Sequence, residues 1–362
     1  MKLILKLLTF LIINFTLLNA AQITDSFRFD AYGNINTIHG ERNYDELRLS
    51  GGFQGRYKVN DNISITSQIH IKEGRNSKGK PSNSLEDYDT ELKWLYLDYD
   101  FENDITFRIG AFQFPVFKAS QTGDIEYTYT WTNAPLRSYG VFGAADFNGA
   151  EILKKFSYKD FDFLAQLSLG ESSTQLGSNE GSIEGNIDSL VGLTLKTYHE
   201  SFLLNIGYIQ ANANLYLHRL PFLNKSLQKI NQSVDLNMIA IESEIYLDEF
   251  TLKSGLIKTN LSNIFTEDLN YYSSIEYNYK DITPYFLYSK EIAYLKRKEA
   301  DVITEAGKVY KERVSLGLRY ELSDNIALKF SYTHEDSKSK LNNLRKFEGS
   351  DNIFMGTMNF VF

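Results

Sequence analysis

The sequence has no cysteine and only 5 prolines among its 362 residues. Without cysteine there is neither a disulfide framework nor thiol chemistry. Scarce proline leaves long stretches free to form hydrogen-bonded strands, because proline cannot donate to a ladder. Tryptophan is rare at 2 residues, whereas Tyr and Phe number 24 and 25, a bias that suits strands. Positive charge is in deficit: 38 Lys and Arg against 46 Asp and Glu leave a net charge of −8. That balance argues against a nucleic-acid binder, whose partner is a polyanion. Beyond Ala21 no apolar run approaches the roughly 20 residues that a membrane-spanning helix needs. The five histidines, His39, His70, His199, His218 and His334, never pair at metal spacing. There is no His-Glu-x-x-His run, no Gly-x-Ser-x-Gly elbow and no glycine-rich phosphate loop before a helix. No catalytic residue, metal ligand or cofactor is expected.

What is present begins with an address. Lys2 and Lys6 precede an apolar run, Leu7 to Leu18, and then Asn19-Ala20-Ala21. A charged start, a short apolar stretch and small residues at a cleavage point read as a secretory signal peptide. Residues 1–20 are expected to be removed, with a cut after Ala21 also open. The rest, residues 21–362, shows no composition shift and no linker, so one domain is expected.

That domain is a series of alternating segments separated by turn signals. In one, Leu49, Gly51, Phe53, Gly55, Tyr57 and Val59 share a face, with Arg48, Ser50, Gln54, Arg56 and Lys58 opposite. After Asn60-Asp61-Asn62, Ile63, Ile65, Ile69 and Ile71 alternate with Ser64, Thr66, Gln68, His70 and Lys72. Side chains of a strand alternate with period two, so each segment has one apolar and one polar face. Sixteen strands are predicted, starting near Ser26, Leu47, Ile63, Glu91, Ile105, Gly149, Phe161, Leu190, Phe202, Val234, Phe250, Tyr271, Ile282, Val309, Ile326 and Asp351.

Short connections, such as Lys159-Asp160, Asp248-Glu249 and Lys280-Asp281, alternate with longer ones. Bacterial outer-membrane barrels are built this way, with short periplasmic turns and longer extracellular loops. Aromatics flank the short turns: Tyr57, Tyr99, Phe101, Phe156, Tyr158, Phe161, Phe202, Tyr246, Phe250, Tyr279, Tyr320 and Phe330. They are expected to form the periplasmic girdle. The last segment alternates Phe354, Gly356, Met358, Phe360 and Phe362. Phe360 and Phe362 resemble the terminal aromatic signal read by the outer-membrane assembly machinery.

A bilayer offers no hydrogen-bond partners, so strands cross it only as a closed sheet. The expected fold is therefore all-β: a transmembrane antiparallel β-barrel of about sixteen strands, in the outer membrane of a Gram-negative bacterium. The apolar faces would meet lipid. Arg28, Arg48, Arg56, Lys72, Arg108, Lys253, Arg313, Arg319 and Lys329 point the other way. About sixteen strands enclose an aqueous lumen.

One connection stands apart, from Pro115 to about Asn148. It carries Phe117, Tyr127, Tyr129, Trp131, Tyr139 and Phe142, too many rings to lie free in water. The segment Arg108-Ile109-Gly110 through Phe112, Pro115 and Phe117, with Phe147-Asn148-Gly149-Ala150, resembles the corresponding stretch of the bacterial outer-membrane porin superfamily. These are the sixteen-stranded general and phosphate-selective-like diffusion porins. The likeness is specific over about forty residues and architectural elsewhere. It implies that the loop folds inward as a constriction, and that the protein passes small hydrophilic solutes, possesses no enzymatic activity and forms a homotrimer. Its expected surroundings are outer-membrane lipid, lipopolysaccharide and the barrel assembly machinery. The constriction residues expected on the wall are Arg48, Arg56 and Arg108, and on the loop Lys118, Asp124, Glu126, Arg137 and Asp146. Lys93 is ambiguous, because Leu95, Leu97 and Tyr99 share its parity. Two alternatives remain open: a barrel enzyme of phospholipase or protease type, and a plugged structural or adhesin barrel.

Overall fold

The computed structural model describes residues 21–41, 44–73, 88–118, 120, 122–135, 146–178, 181–218, 231–262, 266–299, 302–341 and 345–362. The expected signal peptide and Arg137 lie outside them. The strands are β1 (Ala21–Thr24), β2 (Phe27–Gly40), β3 (Tyr44–Lys58), β4 (Ile63–Glu73), β5 (Tyr88–Phe101), β6 (Ile105–Gln113), β7 (Asp146–Tyr158), β8 (Phe161–Ser178) and β9 (Gly181–His199). They continue as β10 (Phe202–His218), β11 (Asn231–Leu247), β12 (Phe250–Leu261), β13 (Thr266–Tyr277), β14 (Ile282–Glu299), β15 (Val302–Ser323), β16 (Ile326–Leu341) and β17 (Arg345–Val361).

From β2 to β17 each strand pairs antiparallel with the next, and β17 returns to β2. The sheet is thus a closed barrel of sixteen strands, and the short β1 adds to β2 below the seam, opposite Phe27–Phe29. Closure leaves no edge with unpaired backbone groups, which lipid could not satisfy.

The strands that follow short turns start where the alternation places them: Ile63, Ile105, Phe161, Phe202, Phe250, Ile282 and Ile326. Those entering from the longer loops start earlier than expected: β9 at Gly181 rather than Leu190, and β17 at Arg345 rather than Asp351. Only about 9 to 11 tilted residues meet lipid. Beyond that band both faces of a hairpin touch water, and the period-two signal fades while the backbone pairing continues.

The barrel is inside-out relative to a soluble protein. Along β4, Ser64, Thr66, Gln68 and His70 are buried, whereas Ile65 and Ile69 are 38% and 37% exposed. Leu193 and Leu316 on the outer wall reach 53% and 58%. Each large side chain left bare to water would forgo about 1.5–3 kcal/mol of burial, so this wall requires lipid. The aromatics beside the short turns, including Tyr99, Phe101, Phe156, Tyr158, Phe250 and Tyr279, are exposed on that wall. Tyr246 is an exception to the expected girdle. It shares the inward parity of Glu242 and Glu244, and its hydroxyl donates to Glu244 at 2.8 Å.

At the seam the Phe362 amide donates to the Ala31 carbonyl at 2.8 Å, and the Ala31 amide donates to the Phe362 carbonyl at 2.9 Å. Deleting Phe362 removes both bonds and a ring that packs against Phe360. The expected result is reduced insertion, measured as less surface-exposed, heat-modifiable protein in the outer membrane. Normal levels would show that the last residue is dispensable for closure.

Candidate functional site

The connection after β6 folds into the lumen. Gln113 ends β6, and the chain continues inward from Phe114. The return strand begins at Asp146, earlier than Gly149, because Phe147 and Asn148 already pair with Phe112 and Ala111. Phe114, Val116, Phe117 and Trp131 are buried in one cluster with Phe112, Phe147, Ile209, Met238, Ile257, Tyr272 and Leu287 of the inner wall. Two inward glycines make the seat. A Cβ on Gly192 would lie 1.9 Å from the Phe114 ring, and one on Gly207 would lie 2.6 Å from the Val116 carbonyl. Burying these rings is favourable by about 1.5–3 kcal/mol each.

Polar bonds carry the loop around the wall. Thr194 of β9 donates to the Pro115 carbonyl at 3.2 Å, and Asn205 of β10 donates to the Val116 carbonyl at 2.8 Å. The Lys118 amide donates to Glu242 of β11 at 2.6 Å. Thr130 donates to Glu276 of β13 at 2.8 Å, and the Trp131 indole donates to Ser274 at 3.0 Å. Thr132 meets Ser331 of β16 at 2.7 Å. Nearer the seam, Asn34 donates to the Asp124 carbonyl at 3.1 Å. Asn36 and Asn359 donate to the two Glu126 oxygens at 3.0 and 3.2 Å.

Two cations hold the backbone of this segment. Arg319 of β15 donates to the Tyr127 and Tyr129 carbonyls at 2.6 and 2.9 Å. Lys329 of β16 is fully buried and donates to the Glu126 and Trp131 carbonyls at 2.5 and 3.1 Å. Its ammonium also lies 4.5 Å from the Tyr129 ring centre. Burial pushes the Glu126 carboxyl above the usual carboxylate range, and Asn36, Lys329, Asn359 and Arg48 oppose that rise.

The residues expected at the constriction fall into three groups. Arg48 lies directly across from Asn36 and pairs with Glu46 at 2.7 Å. It therefore shares the β2 region with Glu126 and Asp124. Asp124 meets Gln113 at 3.5 Å and Lys93 at 3.7 Å. Arg108 stands in a second group on the wall, donating to Asp98 at 2.8 Å and Glu151 at 3.1 Å, with its guanidinium 4.2 Å from the Tyr96 ring centre. Arg56 faces the lumen nearby, opposite Arg28, and donates to Ser64 at 3.2 Å. Lys118 forms the third group with Glu244 at 2.5 Å. Asp146 is the first residue of β7, across from Gln113. Asp124 and Glu126 thus lie against β2, β5, β6 and β17, in the same region as Arg48.

Sequence reading left Lys93 undecided and did not single out Arg319 or Lys329 as site residues. The register between β4 and β5 shifts after Gln68, where Gln68 pairs with Trp94 and Ile69 with Leu92. That bulge turns Lys93 inward, buried, while Leu95 and Leu97 stay on the outer wall. One extra residue is how a bulge redirects a side chain, and alternation alone cannot reveal it. A signal for Lys329, though not for Arg319, was present. Arg108, Lys253 and Lys329 each stand three residues inside the start of a strand, and Lys155 and Lys196 three before the end of one. All these strand ends adjoin short turns, so the basic residues share one height.

No protein-family model matches the chain, and no curated protein matches it in sequence. Solved structures do. OmpT of Vibrio cholerae superposes with a TM-score of 0.61 at 13% identity, covering 94% of this chain and 99% of that one. The outer membrane channel DcaP of Acinetobacter baumannii gives 0.59 at 11% identity, over 95% and 100%. An anion-selective porin from Comamonas acidovorans gives 0.57 at 10% identity, over 93% and 99%. The chain therefore has the fold of the sixteen-stranded outer-membrane porins.

Proposed function

We propose that this protein is an outer-membrane porin, a water-filled channel for passive diffusion of small hydrophilic solutes and ions. The observation that carries this reading is a closed, inside-out barrel whose lumen keeps exposed charges, Arg56 and Lys118 among them, beside an in-folded loop. Those groups need water, so the space between loop and wall is aqueous. The likeness to three porin-type structures supports the same reading at the level of fold. The protein resides in the outer membrane of a Gram-negative bacterium, is inserted by the barrel assembly machinery after signal removal, contacts lipopolysaccharide and assembles as a homotrimer. It performs no chemistry on its solutes.

Purified mature protein in a planar bilayer should give stable single-channel steps. A silent membrane, with heat-modifiable folded protein confirmed in parallel, would instead favour a plugged structural barrel. The loop's bonds to strands from β9 through β17 and on to β2 are the observation on that side.

A further inference from the structure

We propose that Lys290 of β14, Lys308 of β15 and Lys338 of β16 form a lipid site on the outer wall, which takes a phosphate of the lipopolysaccharide headgroup. This inference rests on the outer-membrane reading and gives its lipid contact a place.

Parity sets the face. Lys308, Tyr310 and Glu312 alternate in step with Val314 and Leu316, which are exposed on the lipid-facing wall. The register between β15 and β16 runs without a shift from Gly307 to Glu321. Lys290 stands directly opposite Glu312, and Lys338 directly opposite Tyr310. Residues directly opposite one another share a face of the sheet, so the three lysines are turned away from the lumen.

Distance along the strand sets the level. Tyr320 belongs to the girdle beside the short turns. The run from Tyr320 to Tyr310 covers about 33 Å of strand and, at a tilt of about 35–45°, about 25 Å of height. That is the height of the apolar band of an outer-membrane barrel. The lysines therefore stand where the hydrocarbon ends on the extracellular side, at the headgroups of the outer leaflet. Outer-wall rings lie just below them: Tyr271 and Tyr288 with centres 6.1 Å apart, and Tyr332 and Phe354 with centres 5.0 Å apart.

The three ammonium groups gather around one ring. Those of Lys290, Lys308 and Lys338 lie 5.8, 6.0 and 5.8 Å from the Tyr310 centre. Lys308 is also 4.9 Å from the Tyr294 centre. The register extends the basic run, with Lys340 opposite Lys308 and Lys346 opposite Lys340. The carboxylates on this face are fewer. Glu312 accepts from the Tyr288 hydroxyl at 2.7 Å with one oxygen and pairs with Lys290 at 3.1 Å through the other. Asp336 lies 3.6 Å from His334, and Glu348 is opposite Lys338 in register. Lys308 and Lys338 have no ion pair among the described residues. A chain with a net charge of −8 thus collects cations at one spot on its outer wall.

Ammonium groups held around one ring repel each other. A phosphate removes that repulsion, because its oxygens accept charge-assisted hydrogen bonds from several of them at once. The acyl chains of the same molecule would lie along Val314 and Leu316 below, a contact that a free phosphate lacks.

The test uses the full mature protein, stripped of lipid in detergent, with purified lipid A as the probe and native mass spectrometry as the readout. The wild type should hold bis-phosphorylated lipid A in preference to the dephosphorylated form. Lys290→Gln, Lys308→Gln and Lys338→Gln together should weaken binding about a hundred-fold, since each lysine near an anionic lipid surface contributes roughly five-fold. Arginine at the same three positions should retain binding. Removing three charges beside the short turns instead, with Lys154→Gln, Lys159→Gln and Lys280→Gln, should leave binding unchanged, and heat-modifiable mobility should show that every variant folds. Equal affinity of the wild type and the first glutamine variant, or an equal loss in the second, would overturn the site. Displacement of lipid A by inorganic phosphate at matched concentration would also overturn it, by showing a site for free anions. Absence of the wild-type protein from the outer-membrane fraction would instead overturn the outer-membrane reading on which this inference rests.

Discussion

Replacing Lys329 and Arg319 together with methionine widens the channel. Four loop carbonyls, those of Glu126, Tyr127, Tyr129 and Trp131, then lose their charged donors. Hydrogen bonds to charged groups contribute about 1.5–3 kcal/mol each, more than this short segment regains from its other polar contacts. Glu126 also loses a nearby positive charge while staying buried, which drives the segment toward water. Methionine keeps the length and apolar stem of lysine, so the wall packing survives. The first part of the loop stays seated, because Phe114 and Val116 are held by packing over Gly192 and Gly207. Single-channel conductance should rise roughly two-fold or more, since an unobstructed lumen of this strand number is a wide aqueous channel. Trp131 supplies an independent readout. Its indole leaves Ser274 and the apolar cluster, so tryptophan emission should shift to the red while Trp94 in β5 stays in place. Unchanged conductance and emission would show that the two cations do not hold the loop.

The second large effect centres on Arg108. Arg108→Gln leaves Glu151 and Asp98, both buried, without their cation. Breaking a buried pair by removing one partner costs about 3–5 kcal/mol. Denaturant unfolding in detergent should show that loss, and the reversal potential should move toward cations. Adding Glu151→Gln should recover part of the stability, because one of the two stranded charges disappears while Asp98 stays buried without its cation. Arg56→Gln is the contrast. Arg56 is exposed and bonded only to Ser64 among the described residues, so it should alter selectivity with little change in stability. Equal stability of the Arg108 single and double variants would show that Glu151 is not the group left uncompensated.

These two arginines also show how far the sequence could be read. Both were legible as inward-facing from the alternation of β3 and β6. Their different situations were not, because Arg108 finds its partners on β5 and β7 and those are fixed by strand register. The same holds for the loop. Its ring content predicted that it would leave water, and Asp124 and Glu126 were named among its constriction residues without a place against the wall. In the fold Asp124 and Glu126 lie on the wall, because Asn34, Asn36 and Asn359 meet across the seam between β2 and β17. Residues 34 and 359 are 325 apart in the sequence, and no local pattern joins them.

What the amino-acid order determined by itself was everything governed by period two and by turn chemistry. That covers the sixteen strands, the short turns at one end, and the apolar outer and polar inner faces. These follow from the alternation of side chains along a strand and the requirement that lipid meet only apolar groups. What only the tertiary structure decided was every property that depends on which distant strands face each other across the lumen. Closure of the sheet, the bulge that turns Lys93 inward and the seat of glycines under the loop decide which cations hold backbone and which face the path. Charge in a confined space acts through distance and burial rather than through sequence separation, so in this acidic chain the wall buries Glu151 and Glu242 while Arg56 and Lys118 stay exposed.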